Sequence, residues 1–302
     1  MNLSVKIGKV KFNNPVTVAS GTFSYIEKYF SAAKVKQLGA IVPKTVTMHA
    51  QEGNPPPRIV ETPSGMINAI GIENPGIDVF MDIKLVDLGK LGVPLIVSIS
   101  GKTDKEFEVM TQKLDANRNV SAIELNLSCP NLQHKILVAQ DAKAIRRVVR
   151  IAKKMTKKTV IAKLSPNVTD ISLMAKAAEE AGADGVSMVN TFGAMVIDIH
   201  TRRSKLGNIT GGLSGPAIRP IAVQMVYKTA QEIKIPIIAM GGIMTAEDAL
   251  EFMIAGASMV AVGTANFINP NAPLEALQGI KQYMKKYKMK DVKELIGSFN
   301  YE

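Results

Sequence analysis

The sequence has no tryptophan, and phenylalanine and tyrosine bring its aromatic content to only 5% of 302 residues. Proteins that bind single-stranded nucleic acids stack the bases on aromatic side chains, so a surface of that kind is not expected. The formal net charge of +11 at pH 7 suits small anionic ligands, such as phosphates and carboxylates. We therefore expect a protein that acts on small molecules and has no nucleic-acid partner.

Cysteine occurs once, at Cys129. A single thiol cannot form a disulfide within the chain, and it cannot supply the ligands of a Cys-bound iron–sulfur cluster or a Cys₄ zinc site. No metal is therefore expected among the cofactors that this chain holds by itself.

Long hydrophobic runs are also missing. No stretch approaches the ~18 uninterrupted apolar residues that a membrane-spanning helix requires. The N-terminal segment, MNLSVKIGKVKF, lacks the apolar region of a signal peptide. We expect a soluble, cytoplasmic protein that does not bind membranes.

The chain does contain a regular alternation of short apolar runs with segments of helical periodicity. Runs that are apolar on both faces are typical of buried parallel strands. The predicted strands are Val16–Ala19, Ala40–Lys44, Pro94–Ile99, Ala122–Leu125, Thr159–Lys163, Gly185–Val189, Ile235–Met240 and Met259–Val262. The predicted helices are Tyr29–Leu38, Gly76–Leu88, Thr103–Leu114, Ala142–Met155, Asp170–Ala181, Ala217–Ile233, Ala246–Ala255 and Leu274–Tyr287.

Eight consecutive strand–helix units predict an α/β fold, a closed (β/α)8 TIM barrel, in which residues 1–302 form a single domain. An open doubly wound sheet is the alternative, but no G-x-G-x-x-G fingerprint follows the first strand. After the second strand comes a polar, proline-rich stretch, EGNPPPRIVETPSGM, which cannot be helical. It is predicted to be an insertion that covers the barrel mouth.

Polar residues and glycines follow several predicted strands, at the barrel end where active sites lie. Two such places, Gly241-Gly242 and Gly263-Thr264, follow the seventh and eighth strands. Barrels commonly bind phosphate there, through backbone N–H groups and a helix dipole. These four residues therefore form a candidate phosphate site, although glycines can also serve only to make tight turns.

Two lysines, Lys44 and Lys163, end their predicted strands. Such a lysine can pair with an anion, form a Schiff base or stabilise a reduced cofactor, or it can be purely structural.

Cys129 could be a base, a nucleophile or an inert small side chain. The mouth also carries Asn68, Asn126, Asn131 and Asn190, whose amides suit a planar ligand with alternating N–H and C=O groups, although any one of them could simply cap a turn. The residues by themselves leave these choices open.

Several longer strings resemble one family. In chain order they are NPVTVASGTF (14–23), EGNPPPRIVETPSGMINAIGIENPG (52–76), ELNLSCPN (124–131), AKLSPNVTDI (162–171), TGGLSGPAI (210–218), MGGIMTAEDALEFMIAGAS (240–258) and VGTANF (262–267). Together they resemble the catalytic, FMN-containing subunit of class 1B dihydroorotate dehydrogenases, over nearly the whole chain. The segment ETPSGMINAIG is similar to the B subtype of this family rather than to the A subtype.

The resemblance implies an FMN-dependent barrel that oxidises dihydroorotate to orotate in pyrimidine (UMP) biosynthesis. Cys129 would remove a proton from C5 of dihydroorotate, and a hydride would pass from C6 to N5 of FMN. A partner subunit with FAD and a 2Fe–2S cluster would carry the electrons to NAD⁺, around a homodimer core of this chain.

Site residues follow from the same resemblance, position by position. The catalytic pair would be Cys129 and Lys163, with Lys163 near the N1–C2 edge of the flavin. The FMN ligands would be Ser20, Lys44, Thr45, Ser98, Asn126, Lys163, Val189, Gly215, Gly241, Gly242, Gly263 and Thr264. The orotate ligands would be Lys44, Asn68, Ala69, Ile70, Gly71, Ile72, Asn126, Asn190 and Thr191.

Two features depart from the family pattern. After SCPN the chain reads LQHKILVAQDAK, where the family usually has a lysine, a glycine pair and then Phe-Gly in a mobile loop over the cysteine. Ser98 stands where the family often has an asparagine, and a hydroxyl offers fewer hydrogen bonds than an amide. The first change predicts that the loop after Cys129 is stiffer or closes differently.

Three other functions remain as alternatives. One is a related FMN oxidoreductase that acts on another dihydropyrimidine. Another is a Schiff-base lyase barrel that uses Lys44 or Lys163 as its amine. The third is a barrel that has lost catalysis and serves as a binding or scaffold protein.

Overall fold

A computed structural model describes residues 1–22, 31–128, 130–131 and 136–301, with only the backbone for 130, 131 and 136. Within these ranges no helix is both long and apolar enough to cross a membrane. The strands are β1 (Val5–Ile7), β2 (Val10–Phe12), β3 (Val16–Val18), β4 (Ile59–Thr62), β5 (Gly65–Asn68), β6 (Leu95–Ile99), β7 (Val120–Asn126), β8 (Pro130–Asn131), β9 (Ile136–Leu137), β10 (Thr159–Lys163), β11 (Gly185–Met188), β12 (Phe192–Ala194), β13 (Ile197–Asp198), β14 (Arg203–Ser204), β15 (Gly211–Ser214), β16 (Ile237–Ala239) and β17 (Met259–Val262).

The helices lie between these strands and pack around them. The α-helices are α1 (Ala32–Val35), α2 (Ile77–Val79), α3 (Leu85–Gly89), α4 (Asp104–Asp115), α5 (Ala142–Met155), α6 (Ile171–Glu180), α7 (Arg219–Glu232), α8 (Ala246–Ile254), α9 (Ala265–Ile268) and α10 (Ala272–Lys286). A π-helical turn, Phe80–Lys84, joins α2 to α3, and 3-10 turns lie at Val138–Gln140, Pro216–Ile218 and Val292–Glu294.

The central sheet is parallel and curls into a barrel, with the strand order β3-β17-β16-β11-β10-β7-β6. Its strands are short and wholly buried, as the runs of valine, isoleucine and alanine predict. The TIM-barrel prediction is confirmed, and the predicted strand positions match the observed ones except for the second. That the whole chain is one domain stays a prediction.

The second barrel position is occupied by an irregular extended segment, residues 39–46, rather than by the predicted strand Ala40–Lys44. Gly39 N donates to Val16 O at 2.8 Å on one side, and Ile41 N donates to Pro94 O at 3.0 Å on the other. Only isolated parallel bridges, such as Ile41 with Leu95, join it to β6. Pro43 lies in the middle of the segment and has no N–H to donate, which explains why no continuous ladder forms.

The outer helices begin where side-chain caps predict that they should. Thr103 caps α4, Asp141 caps α5, and Asp170 caps α6, each by accepting a hydrogen bond from a backbone N–H of the first turn. Thr245 and Asp248 form a reciprocal capping box at the start of α8. These helices hold their strands with the C-terminal ends at one rim, which is where the candidate site lies.

The N-terminal hairpin of β1 and β2 closes the opposite end of the barrel. Ile7 and Phe12 are fully buried. The Ile7 side chain lies against Gly185 at the start of β11, and Lys9 N donates to Thr159 Oγ1 at the start of β10 over 3.0 Å. Because this hairpin caps the N-terminal strand ends, a ligand has access from the other rim.

A four-stranded antiparallel sheet, with the order β12-β15-β5-β4, lies over that rim. β4 and β5 come from the proline-rich insertion, whereas β12 and β15 come from the chain after β11. A small core of Ile67, Ala69 and Leu206 packs within it, separately from the barrel core. We call residues 59–69 and 192–214 the lid. The insertion therefore does form a cover, and a second segment that the sequence did not predict completes it.

Candidate active site

A cavity of about 620 Å³ lies at the C-terminal rim of the barrel, under the lid. This volume falls in the range of ordinary small-molecule sites. Most residues that the sequence predicted for the site line its wall. They are Ser20, Lys44, Thr45, Asn68, Ile70, Gly71, Ile72, Asn126, Lys163, Val189, Asn190, Thr191, Gly241, Gly242, Gly263 and Thr264.

Three other predicted site residues do not line the cavity. Ser98 is fully buried behind Thr45, so its hydroxyl cannot reach a ligand directly. Ala69 packs into the small lid core, because alternation along the extended chain turns it away from the side on which Asn68 lies. Gly215 shapes the turn before α7 with a φ of 98°. Cys129 lies outside the described residues.

A larger cavity of about 1160 Å³ is a groove on the outside of the barrel, between α7, α8 and α10. Its wall is mostly apolar and includes Tyr227, Leu250 and Tyr283. None of the residues predicted for the site lies there. The chemistry suggested by the sequence is therefore concentrated in the smaller cavity at the rim.

The glycines after β16 form one end of the site. Gly242 has a φ of 80°, and a Cβ there would lie 2.8 Å from the carbonyl oxygen of Gly215. A side chain is therefore excluded by both conformation and space. On the neighbouring strand end, Thr264 Oγ1 donates to Ser214 Oγ at 2.9 Å, which joins this end of the cavity to the lid. Exposed backbone N–H groups at such turns are suited to holding a phosphate.

A chain of hydroxyl groups runs from the cavity into the barrel. Ser20 Oγ and Thr45 Oγ1 share a hydrogen bond of 3.2 Å, and Thr45 Oγ1 shares another of 2.9 Å with Ser98 Oγ. Asn126 Nδ2 donates to Thr45 Oγ1 at 3.4 Å. Ser98 thus acts on the cavity through Thr45, and a planar ligand would meet the Thr45 and Asn126 side chains.

Amide groups cluster on the wall formed by β7 and β11. Asn190 Nδ2 donates to Ser128 Oγ at 2.8 Å and to Asn126 Oδ1 at 3.4 Å. Asn190 Oδ1 accepts a hydrogen bond from Thr191 N at 2.8 Å. These bonds fix the orientation of the Asn190 amide beside the cavity, as recognition of a planar polar ligand requires.

Two lysines give the cavity wall a positive charge. Lys44 lies in the irregular second segment, and Lys163 ends β10 with only 5% of its surface exposed. The Lys163 Nζ lies 3.9 Å from Oε1 of Glu124, a buried carboxylate on β7. Glu124 was not predicted as a site residue, although a glutamate within an otherwise apolar strand is a signal that could have identified it.

The chain on either side of β4 and β5 contributes an ion pair that the sequence also did not single out. Arg58 Nη1 and Glu73 Oε2 form it at 2.6 Å on the cavity wall. The predicted ligand Ile72 has a φ of 51°, which is unusual for a β-branched residue. Asn74 holds this turn, because its Nδ2 donates to Ile72 O at 2.7 Å and to Thr47 Oγ1 at 2.8 Å. The turn after β5 is thus tied to the chain that precedes the proline-rich insertion.

Comparison with known proteins gives a consistent result. Residues 2–284 match the family model described as "Dihydroorotate dehydrogenase". The chain is 50% identical, over all of both chains, to the "Dihydroorotate dehydrogenase B (NAD(+)), catalytic subunit" of Thermoanaerobacter pseudethanolicus. It is 48% identical to the protein of that name from Thermodesulfovibrio yellowstonii, with 98% of each chain covered. It is 50% identical to the protein of that name from Lachnoclostridium phytofermentans, over 98% of this chain and 99% of the relative.

Proposed function

Because the chain belongs to the dihydroorotate dehydrogenase family, we propose that it oxidises dihydroorotate to orotate in pyrimidine biosynthesis, as an NAD⁺-linked oxidoreductase. The family assignment made from the sequence motifs is confirmed by the match over residues 2–284. The observation that carries the proposal is the convergence of sixteen predicted ligands on one cavity under the lid.

FMN is the cofactor that we propose for this cavity, and the residues present fit it. Gly241, Gly242 and Gly263 leave backbone N–H groups open at the rim of two adjacent strands, which suits the phosphate. Thr45 and Asn126 offer polar groups for the ring system, and the cavity of about 620 Å³ can hold a molecule of this size. Bound FMN would supply a hydride acceptor at its N5 atom.

The substrate would bind beside the amide cluster. Asn190 is held by Ser128 and Asn126, so its amide can meet the pyrimidine N–H and C=O groups without reorganising. Asn68 is fixed from the lid, where its Nδ2 donates to Gly212 O at 3.3 Å. The cationic Lys44 would pair with the carboxylate of dihydroorotate. The lid over these residues would exclude water during the reaction.

Cys129 is the base in this proposal. Its thiolate would take the proton from C5 of dihydroorotate, while the hydride leaves C6 on the opposite face of the ring. The role comes from the ELNLSCPN motif, because Cys129 itself lies outside the described residues. Ser128, directly before it, is bonded to Asn190 on the cavity wall, which supports a position of the thiol near the substrate.

The electrons would leave through a partner subunit. The relatives are named as a catalytic subunit, which supports the existence of a second kind of chain. From the resemblance to class 1B catalytic subunits we infer that this partner carries FAD and a 2Fe–2S cluster, which a chain with one cysteine could not bind by itself.

We also infer a homodimer core. In the lid region Met195, Ile197 and Ile199 are exposed by 47%, 53% and 79%. Met195 and Ile197 alternate along extended chain and so share a face, and Ile199 follows in the turn after β13; such exposed apolar side chains suit contact with a second copy. The proposal is tested by light scattering of Ile197→Asp, which should shift the chain toward monomer, whereas an unchanged mass would contradict this interface.

The proposed activity is tested by reconstituting the purified chain with FMN and adding dihydroorotate without oxygen. We expect stoichiometric loss of the flavin absorbance and formation of orotate. Reduction by dihydrouracil but not by dihydroorotate would instead favour the related dihydropyrimidine enzyme. A chain that binds no flavin, yet is trapped on a carbonyl substrate by borohydride, would favour the Schiff-base lyase.

A further inference from the structure

Glu124 is a buried carboxylate for which the proposed chemistry has no assigned role. It lies on β7 with 2% of its surface exposed. Its Oε2 accepts a hydrogen bond from Ser187 Oγ at 2.7 Å, but its buried Oε1 has no hydrogen-bond partner in the described part of the chain. Leaving a buried charged oxygen without a partner is costly, so another interaction must offset that cost.

The interaction is with Lys163, on the adjacent strand β10. Its Nζ lies 3.9 Å from the unpartnered Oε1, and the side chains are only 6% and 3% exposed. That distance is too long for a good hydrogen bond, yet at low exposure it gives a strong charge–charge attraction. Glu124 therefore compensates the charge of Lys163 without using any of its three N–H donors.

The two groups lie at different depths. Lys163 lines the cavity, whereas Glu124 does not, so the carboxylate stands behind the ammonium group as seen from a ligand. The other charged side chains on the described cavity wall are Lys44, Arg58 and Glu73, and the last two pair with each other at 2.6 Å. Glu124 is thus the carboxylate that the structure assigns to Lys163.

We propose that Glu124 is a positioning residue that holds the Lys163 side chain at the cavity wall by charge attraction, with its N–H donors available to the pyrimidine edge of bound FMN. This inference rests on the proposed function, because it concerns the same cavity and the same cofactor. Ser187 orients the carboxylate through its other oxygen, which leaves Oε1 directed at the lysine.

The proposal has a consequence for the flavin. A lysine charge held at the pyrimidine edge would stabilise the negative charge that develops when FMN is reduced, and would therefore raise the flavin midpoint potential. Without Glu124 the lysine is no longer held there, so the effect of its charge on the potential should change. In a chain without the lysine, Glu124 has no ammonium group to hold.

The first experiment measures the flavin midpoint potential of the FMN-loaded chain electrochemically at one fixed pH. We expect Glu124→Gln to shift this potential in the chain that keeps Lys163. The matched control makes the same change in a Lys163→Met background, where the shift should be much smaller because there is no ammonium group to hold.

A second experiment needs no flavin. Thermal unfolding of the flavin-free chain is measured for the wild type, Glu124→Gln, Lys163→Met and the double variant. Removing one partner should destabilise the chain, and removing both should cost less than the sum of the two single changes. If Glu124→Gln does not fold, a double variant that does fold gives the same support.

The two experiments decide whether Glu124 positions Lys163. Equal shifts of the midpoint potential in the two backgrounds, or additive effects on thermal stability, would overturn the role of Glu124. Failure to bind FMN would instead overturn the proposed function, while the unfolding experiment would still decide whether the two residues compensate each other.

Discussion

Asn190 donates a hydrogen bond from its Nδ2 to Ser128 Oγ over 2.8 Å. This bond joins the chain after β11 to the residue that directly precedes Cys129. It therefore ties an amide on the cavity wall to the chain after β7, and it makes Asn190 a sensitive place to test substrate binding.

We expect Asn190→Ala to weaken the binding of orotate by about 5- to 30-fold, because one or two hydrogen bonds to the ligand are lost. Titration of the flavin spectrum with orotate measures this affinity. Asn117→Ala, at the opposite end of the barrel, is the control and should bind as the wild type does. Equal affinity in both variants would place the ligand elsewhere.

The glycines of the proposed phosphate site should respond differently to alanine. Gly242→Ala would place a Cβ 2.8 Å from Gly215 O at a φ of 80°, so the chain should lose stability with or without FMN. Gly263→Ala meets only the Ala19 Cβ at 3.4 Å, which is an ordinary contact. We expect Gly263→Ala to retain the stability of the flavin-free chain.

The same Gly263→Ala variant should nevertheless lose FMN affinity, since the new methyl group would occupy the space of the phosphate. Thermal unfolding of the flavin-free chain and quenching of FMN fluorescence measure the two effects separately. Wild-type FMN affinity in Gly263→Ala would argue against a phosphate at this strand end.

The barrel could be predicted because its signals are local. Runs such as Thr159–Lys163 carry their burial in their own composition, and caps such as Asp141 mark where helices begin. The lid could not be predicted in this way. Its central pair, β5 and β15, joins Asn68 to Gly212, which are far apart in the chain. Its strands are short and glycine-rich, so neither periodicity nor propensity distinguishes them from loops.

The site was predicted to a similar extent and for a similar reason. Residues at strand ends, such as Lys163 and Asn190, follow from the barrel, because parallel strands bring their carboxyl ends to one rim. For Ser98, position along a strand does not reveal that Thr45 lies between it and the cavity. Arg58 and Glu73 were not singled out, since their pairing depends on how the proline-rich insertion folds.

The small core of the lid should affect substrate binding more than overall stability. Leu206 is 4% exposed and packs in the small core with Ile67 and Ala69, apart from the barrel core. We expect Leu206→Ala to increase the hydrogen exchange of residues 59–69 and to raise KM, with little change in Tm. Leu125→Ala, in the barrel core, should lower the free energy of unfolding by about 2–5 kcal/mol. A large Tm loss in Leu206→Ala would show that the lid and barrel unfold together.

Asp115 provides a test of stability against pH. The Thr156 hydroxyl donates a hydrogen bond to its carboxylate and holds its pKa below the ordinary value of 3.8, and the Lys157 N–H and the Lys158 charge act in the same direction. A lowered pKa means that the stabilisation is present above about pH 3.8 and disappears as the pH falls through the folded-state pKa.

We expect Asp115→Asn to lose at most about 1 kcal/mol at pH 7, because a charged acceptor is replaced by a neutral one and solvent screens the site. The difference from the wild type should shrink as the pH falls below 3.8 and through the folded-state pKa. Urea unfolding at several pH values measures it, with the exposed Asp82→Asn as the control. A difference that stays constant with pH would show that the carboxylate charge is not involved.

The central claim is that Cys129 removes a proton from dihydroorotate while a flavin in the same cavity takes the hydride. Rapid anaerobic mixing of the FMN-loaded chain with dihydroorotate tests it most directly, with the flavin absorbance followed in the wild type and in Cys129→Ala at equal FMN occupancy. We expect bleaching in the wild type and a rate slower by ~100- to 10,000-fold in the variant, as loss of a general base implies. Equal rates in the two proteins would contradict the account.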